Sequence, residues 1–166
     1  MTIDELIAEL NEEAKGTRRV LERVPADRLE WQPHEKSLTL GQLAMHVATI
    51  PGALAELSMQ PSFDVRTEIP RPGVGSVSEL LEALDRSVAR AGALLSEMGD
   101  DGLTRPWRMV DGSRELMALP RGAFLRSVML NHWYHHRGQL TVYLRLTGAP
   151  VPGIYGDSAD ERPFPI

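Results

Sequence analysis

Asn131-His132-Trp133-Tyr134-His135-His136-Arg137-Gly138-Gln139-Leu140 sets three of the chain's five histidines within five residues. The stretch reads as helix. Leu125, Val128 and Met129 precede His132 by seven, four and three residues, and His136, Gln139, Leu140 and Tyr143 carry the same stripe onward. Pro120 opens this segment and Gly148 and Pro150 stop it after Leu146. A four-residue step in an α-helix turns about 400° and rises about 6 Å, so His132 and His136 project from one face. Imidazole is the commonest metal ligand among side chains.

Three further helices are read outward from this one. Thr2-Ile3-Asp4-Glu5 has the form of a capping box, and Ile3, Leu6, Ile7, Leu10 and Ala14 follow at helical spacing toward Val24, where Pro25 closes the run. Arg28 to Lys36, with Trp31 and Pro33, reads as a loop or short turn. Thr39-Leu40-Gly41-Gln42 is a second capping box before the apolar face Leu40, Leu43, Val47, Ile50 and Leu54, and Pro51-Gly52 is expected to kink that helix. Gln60 to Gly75 contains Pro61, Pro70, Pro72, Gly73 and Gly75 and reads as an irregular crossover. A third helix starts at Ser76-Val77-Ser78-Glu79, carries Leu80, Leu81, Leu84, Val88, Ala91, Leu94 and Leu95, and ends near Met98-Gly99. Trp107 to Met117 brackets Asp111-Gly112, whose glycine suits a tight turn, so a small hairpin and an irregular loop stand as equal readings. The expected architecture is an all-α four-helix bundle, one domain over 1–166, with a long crossover between helices two and three.

Composition narrows the function classes. With 18 Lys and Arg against 23 Asp and Glu the net charge is -5, and no compact basic patch is present, so no nucleic-acid partner is expected. The chain has no cysteine, which excludes disulfides and thiolate ligands; any metal must sit among imidazole, carboxylate and water, and any thiol chemistry must use a thiol from outside. The acidic N-terminus lacks the pattern of a secretion signal and no apolar run is long enough to span a membrane. A cytoplasmic location and no membrane partner are expected.

Bundle cores are where side chains from facing helices converge on metals, so the inward histidines matter most. His132 and His136 share one layer of the apolar stripe, and two neutral imidazoles there lack obvious donors for both remaining nitrogens; a metal resolves that problem, and hydrogen bonding within the core is the alternative. His46 follows Leu43 by three residues and precedes Ile50 by four, which puts it at the edge of its helix's apolar face. A lone histidine there is more often a hydrogen-bonded core residue than a ligand. His135 is offset about 100° from His136 and is expected to point outward. His34, beside Glu35 and Lys36, reads as a surface residue.

Other residues of the segment carry mixed readings. Arg137 could bind an anionic cosubstrate, with an ion pair or helix packing the favoured role. Gly138 costs about 1 kcal/mol relative to Ala inside a helix and so suggests a close approach. Gln139 is equally a partner orienting an imidazole or a helix-to-helix hydrogen bond, and Asn131 is similarly placed. Trp31, Trp107, Trp133 and Tyr134 are expected in the core or an interface. Seven methionines suit adaptable packing. No general acid or base stands out, with Glu35, Tyr134 and Asp157 as unsupported candidates.

Asn131 through Gly148, with its H-x-x-x-H-R-G-Q core and Asp157 beyond it, resembles the helix-four signature of the DinB-like superfamily. Trp31-Gln32-Pro33 followed by Ser37 to Val47 is similar to that family's other recurrent block, and the matching blocks cover most of the chain except Gln60 to Trp107. The resemblance implies an up-down-down-up four-helix bundle, commonly a homodimer, holding a divalent metal on His46, His132 and His136. Zinc or nickel is expected first; iron, manganese and cobalt also accept imidazole and water. Members of the superfamily include low-molecular-weight-thiol S-transferases that use bacillithiol or mycothiol, a thiol-dependent isomerase and proteins described as metal-dependent hydrolases. The leading expectation is therefore a thiol S-transferase acting on a small electrophile. The alternatives are a hydrolase that activates water and a non-catalytic, stress-related metal-binding module. Trp107 to Leu119 departs from the family pattern.

Overall fold

Both capping boxes form and set the start of their helices. In the computed structural model, which describes residues 1–69 and 73–162, the Thr2 hydroxyl accepts the Glu5 N–H at 3.2 Å while the Glu5 carboxylate accepts the Thr2 N–H at 2.7 Å. They open α1, Ile3–Leu21. Thr39 and Gln42 exchange the same pair of bonds at 3.2 and 3.0 Å and open α2, Leu40–Met59. Each box satisfies two of the donors that a helix start leaves orphaned. Helix α3, Val77–Leu103, breaks at Gly99, whose φ of 62° lies in the left-handed region. The sequence expects α3 to end there; instead one more turn follows, and Asp100 accepts the Ile3 N–H at 2.7 Å, fastening α3 to the start of α1.

The histidine-bearing rod has three parts. Pro120 stands before α4, Arg121–Phe124, which runs into a π-helical stretch, Leu125–Leu130, and then into α5, Asn131–Leu146. The Asn131 N–H reaches back five residues to the Arg126 carbonyl. This wider turn moves the buried stripe: Leu125, Met129 and Leu130 are buried, while Val128 is only half-buried. Gly148 ends the rod with φ 78°, and the Ala149 N–H closes onto the Leu144 carbonyl at 2.9 Å.

The all-α expectation is corrected. Three strands, β1 (Ser62–Asp64), β2 (Pro106–Asp111) and β3 (Arg114–Pro120), form a mixed sheet in the order β1-β2-β3, with β1 parallel to β2 and β3 antiparallel to it. Gly112, at φ 60°, makes the tight turn between β2 and β3. The sheet exists because β2 delivers Trp107 to the core. That ring is fully buried against Phe124 at 4.1 Å between centroids, and its N–H donates to the Leu57 carbonyl at 3.0 Å. Held there, β2 recruits the start of the crossover, with Arg108 N–H bonding Pro61 O at 3.2 Å and Val65 N–H bonding Val110 O at 2.9 Å. The crossover is thus partly strand; Pro70 and Pro72 lie outside the described residues.

One continuous core joins Leu6 and Leu10 of α1, Leu43 and Val47 of α2, Leu84 and Leu95 of α3, and Leu125, Trp133, Leu140 and Leu144 of the rod. Gly52 permits a close approach of α2 to α3 within it. A Cβ there would stand 3.0 Å from the Ser87 carbonyl of α3. No helix of the described residues is long and apolar enough to cross a membrane.

Candidate metal centre

His46 projects from the middle of α2, and His132 and His136 from the first two turns of α5. The fold brings all three together: one ring nitrogen of each lies within 4.8 Å of the others. The ring centroids are 5.3 Å apart for His46 and His132, 4.6 Å for His46 and His136, and 4.4 Å for His132 and His136. All three side chains are half-buried. No carboxylate joins the group among the described residues.

The donor set fits a divalent cation. His46 Nε2 and His132 Nε2 face each other at 3.2 Å. Two nitrogens at about 2.0–2.1 Å from a tetrahedral zinc would lie about 3.3 Å apart. A cation between them would accept one lone pair from each ring. The third imidazole is aimed by a neighbour. His136 Nδ1 donates to the Gln139 side-chain oxygen at 2.7 Å, which leaves Nε2 as the nitrogen with a lone pair to offer.

Electrostatics favour the ligand form. Burial lowers the pKa of His132, and the neighbouring His136 and His135 lower it further. Burial also lowers that of His136, against the opposing pull of the Gln139 hydrogen bond and with added repulsion from His135. Neutral imidazole is the species that binds a metal, so both shifts reduce competition from protons.

The remaining sequence candidates fall outside the group. His135 is exposed with its ring 5.0 Å from that of His136, and His34 is exposed in its turn, accepting the Lys36 N–H at 3.1 Å. Glu35 is exposed. Tyr134 is committed to α1, donating to Glu9 at 2.8 Å, and burial followed by that bond holds its pKa far above the usual phenol value. Asp157 faces Arg162 at 3.8 Å. Arg137 is structural: only 3% exposed, it bonds the carbonyl and carboxylate of Glu13, the Thr17 hydroxyl and the Tyr155 hydroxyl, with Tyr134 and Tyr155 rings each 5.2 Å from its guanidinium carbon. Gly138 meets no neighbour, so close packing within the chain does not explain it. A cleft of 330 Å³ lies between Tyr134, Arg137, Thr141 and the loop Val151 to Ser158, and no histidine lines it.

The model of the DinB family matches residues 1–162. The chain belongs to the DinB family. This DinB protein is 26% identical over 164 residues to the uncharacterized protein YrdA of Bacillus subtilis strain 168, a match spanning 96% of this chain and 92% of that one. Its fold is shared by a DinB-like protein from Bacillus cereus ATCC 10987, with a TM-score of 0.72, 25% identity and coverage of 93% and 98% of the two chains. A DinB-like protein from Bacillus subtilis gives a TM-score of 0.68 at 19% identity, covering 90% and 96%.

Two features of the site were not read from the sequence. The π-helical stretch has no composition signal of its own. The hydrogen bond from the Trp133 indole to the Val47 carbonyl, at 2.8 Å, had one: Pro51 leaves the carbonyl four residues earlier without its helical partner.

Proposed function

We propose that His46, His132 and His136 hold a divalent cation, and that the protein is a transferase joining a low-molecular-weight thiol to a small electrophile. The observation that carries this reading is a ligand set of three imidazoles with no carboxylate among the described residues, in a chain with no cysteine. When bound, the cation supplies undiminished positive charge that lowers the pKa of a thiol or water in its open positions. The three side chains come from two helices, and three protein ligands would leave one to three positions of a bound cation for an outside ligand.

The chain's own residues bind and orient. Gln139 presents the His136 Nε2 atom by holding a proton on Nδ1. Two turns further along the same face of α5, Tyr143 meets Trp31 edge-on at 5.7 Å, an aromatic pair suited to the apolar part of an electrophile. Zinc or nickel suits the donor set, with iron, manganese and cobalt as competitors set by availability.

The deciding experiment is metal analysis of purified protein, followed by thiol consumption with a panel of electrophiles, with and without chelator. Chelator-sensitive thiol consumption supports the transferase. Thiol-independent ester or amide turnover would establish the hydrolase instead. Metal content unchanged in the double variant His132→Ala, His136→Ala would sink the site. A homodimer belongs to the same proposal: Val142 and Leu146, 57% and 59% exposed and one turn apart on α5, give the rod an apolar outer face. Light scattering at the mass of one chain would refute it.

A further inference from the structure

Pro51 interrupts α2 just beyond His46. A proline has no N–H, so the carbonyl four residues earlier, that of Val47, loses its helical donor. The Trp133 indole supplies one across the helix interface at 2.8 Å, from a ring that is fully buried. The positions are matched: Val47 follows His46 by one residue, and Trp133 follows His132 by one. Without Pro51 that carbonyl would share its acceptor capacity with a helical N–H, as the Leu57 carbonyl does in holding the Gln60 N–H at 3.2 Å beside the Trp107 indole. On the far side of the interruption, Ser87 of α3 accepts the Gly52 N–H at 2.8 Å and donates to the Thr49 carbonyl at 3.1 Å, which holds the altered turn in place.

His132 and His136 ride on one helix, so their mutual spacing is set by α5 itself. What remains to be set is where His46 stands relative to them, and that depends on how α2 sits against α5. Metal coordination tolerates only about 0.2 Å of error in ligand distance. An indole is rigid and has only two rotatable bonds, so its hydrogen bond transmits position well. We infer that Pro51 and Trp133 act as a positioning pair, fixing the His46 imidazole against the His132 imidazole through the Trp133 to Val47 hydrogen bond. This rests on the reading of the three histidines as a metal centre.

The test compares two tryptophans that each donate to a carbonyl of α2, Trp133 from α5 and Trp107 from β2. Trp107 is also fully buried and donates to an α2 carbonyl, that of Leu57, at 3.0 Å, but ten residues beyond Val47. Trp133→Phe and Trp107→Phe each lose one indole N–H to α2 and keep a ring. Zinc affinity is measured by competition with a chromogenic chelator, and cobalt absorption reports the coordination geometry. Trp133→Phe is expected to weaken zinc about tenfold and shift the cobalt spectrum, with Trp107→Phe leaving both as in wild type. Pro51→Ala returns an N–H that competes with the indole for the Val47 carbonyl, so it should weaken zinc and shift the cobalt spectrum in the same direction as Trp133→Phe but by less, and the combined variant should lose little more than Trp133→Phe alone. Equal affinities in the two Phe variants, or fully additive losses in the combination, would overturn the inference. Should Trp133→Phe fail to fold, Pro51→Ala decides alone: an unchanged affinity and spectrum overturn it. Wild-type protein that takes up no metal refutes the metal centre itself, and the positioning role with it.

Discussion

Replacing Arg137 with Met separates a structural role from a functional one for the arginine that follows the second histidine. The guanidinium is 3% exposed and its partner Glu13 15%, so the substitution strands a largely buried carboxylate whose remaining donor among the described residues is the Tyr155 hydroxyl. Breaking one side of a buried pair costs about 3–5 kcal/mol. The lost bonds to the Glu13 carbonyl and the Thr17 hydroxyl lie within that figure. For a chain of this size each kcal/mol moves Tm by about 2–4 °C, so the expected fall is on the order of 10 °C. Differential scanning calorimetry measures it. Adding Glu13→Leu removes the stranded charge, and the double variant should lose less than the sum of the singles, with a coupling of at least about 1 kcal/mol. Metal content should be unchanged, because Arg137 sits about 100° around the helix from His136 and is bonded to α1 and Tyr155. A Tm shift under about 3 °C, combined with loss of metal or of turnover, would refute the structural assignment.

Gln139→Leu should weaken metal binding about 10–100-fold by releasing the His136 tautomer, with little change in fold; equal chelator competition curves for variant and wild type would remove its orienting role. Metal at a hundred times its Kd should add about 2.7 kcal/mol to stability, so chelator treatment should lower Tm by about 5–11 °C, and a chelator-insensitive Tm argues against a resident ion. Burial first, and the Glu9 hydrogen bond second, raise the Tyr134 pKa in the folded state, so the contribution of the neutral phenol to stability is complete below about pH 10 and is lost as pH rises through the folded value. The pKa of Tyr155 is raised as well, by burial and its Glu13 hydrogen bond, so ultraviolet titration should show one fewer late-ionising phenol in Tyr134→Phe than in wild type; ordinary titration of the Tyr134 phenol would contradict its burial. Gly52→Ala should destabilise by about 1–3 kcal/mol, since the added methyl meets the Ser87 carbonyl at 3.0 Å; denaturant titration showing no loss would mean that α2 and α3 separate freely.

The sequence alone determined what depends on local spacing. Two capping boxes, the apolar periods of α1, α2 and α3, the breaking glycines Gly99 and Gly148 and the shared face of His132 and His136 all follow from helical geometry within a few turns. The hairpin of β2 and β3 around Asp111-Gly112 was legible as one of two readings, but its extension by Ser62 to Asp64 was not, because a three-residue strand has no alternation to read and its partner β2 lies beyond the whole of α3. The π-helical stretch escaped as well, because its residues Leu125 to Leu130 carry the same apolar spacing that an α-helix would. His46 shows the same division most clearly. Its sequence places it at the edge of an apolar face, where a core histidine and a ligand look alike. Only the packing of α2 against α5 brings its Nε2 to 3.2 Å from that of His132, because a distance between two helices is set by every side chain between them and not by either helix alone.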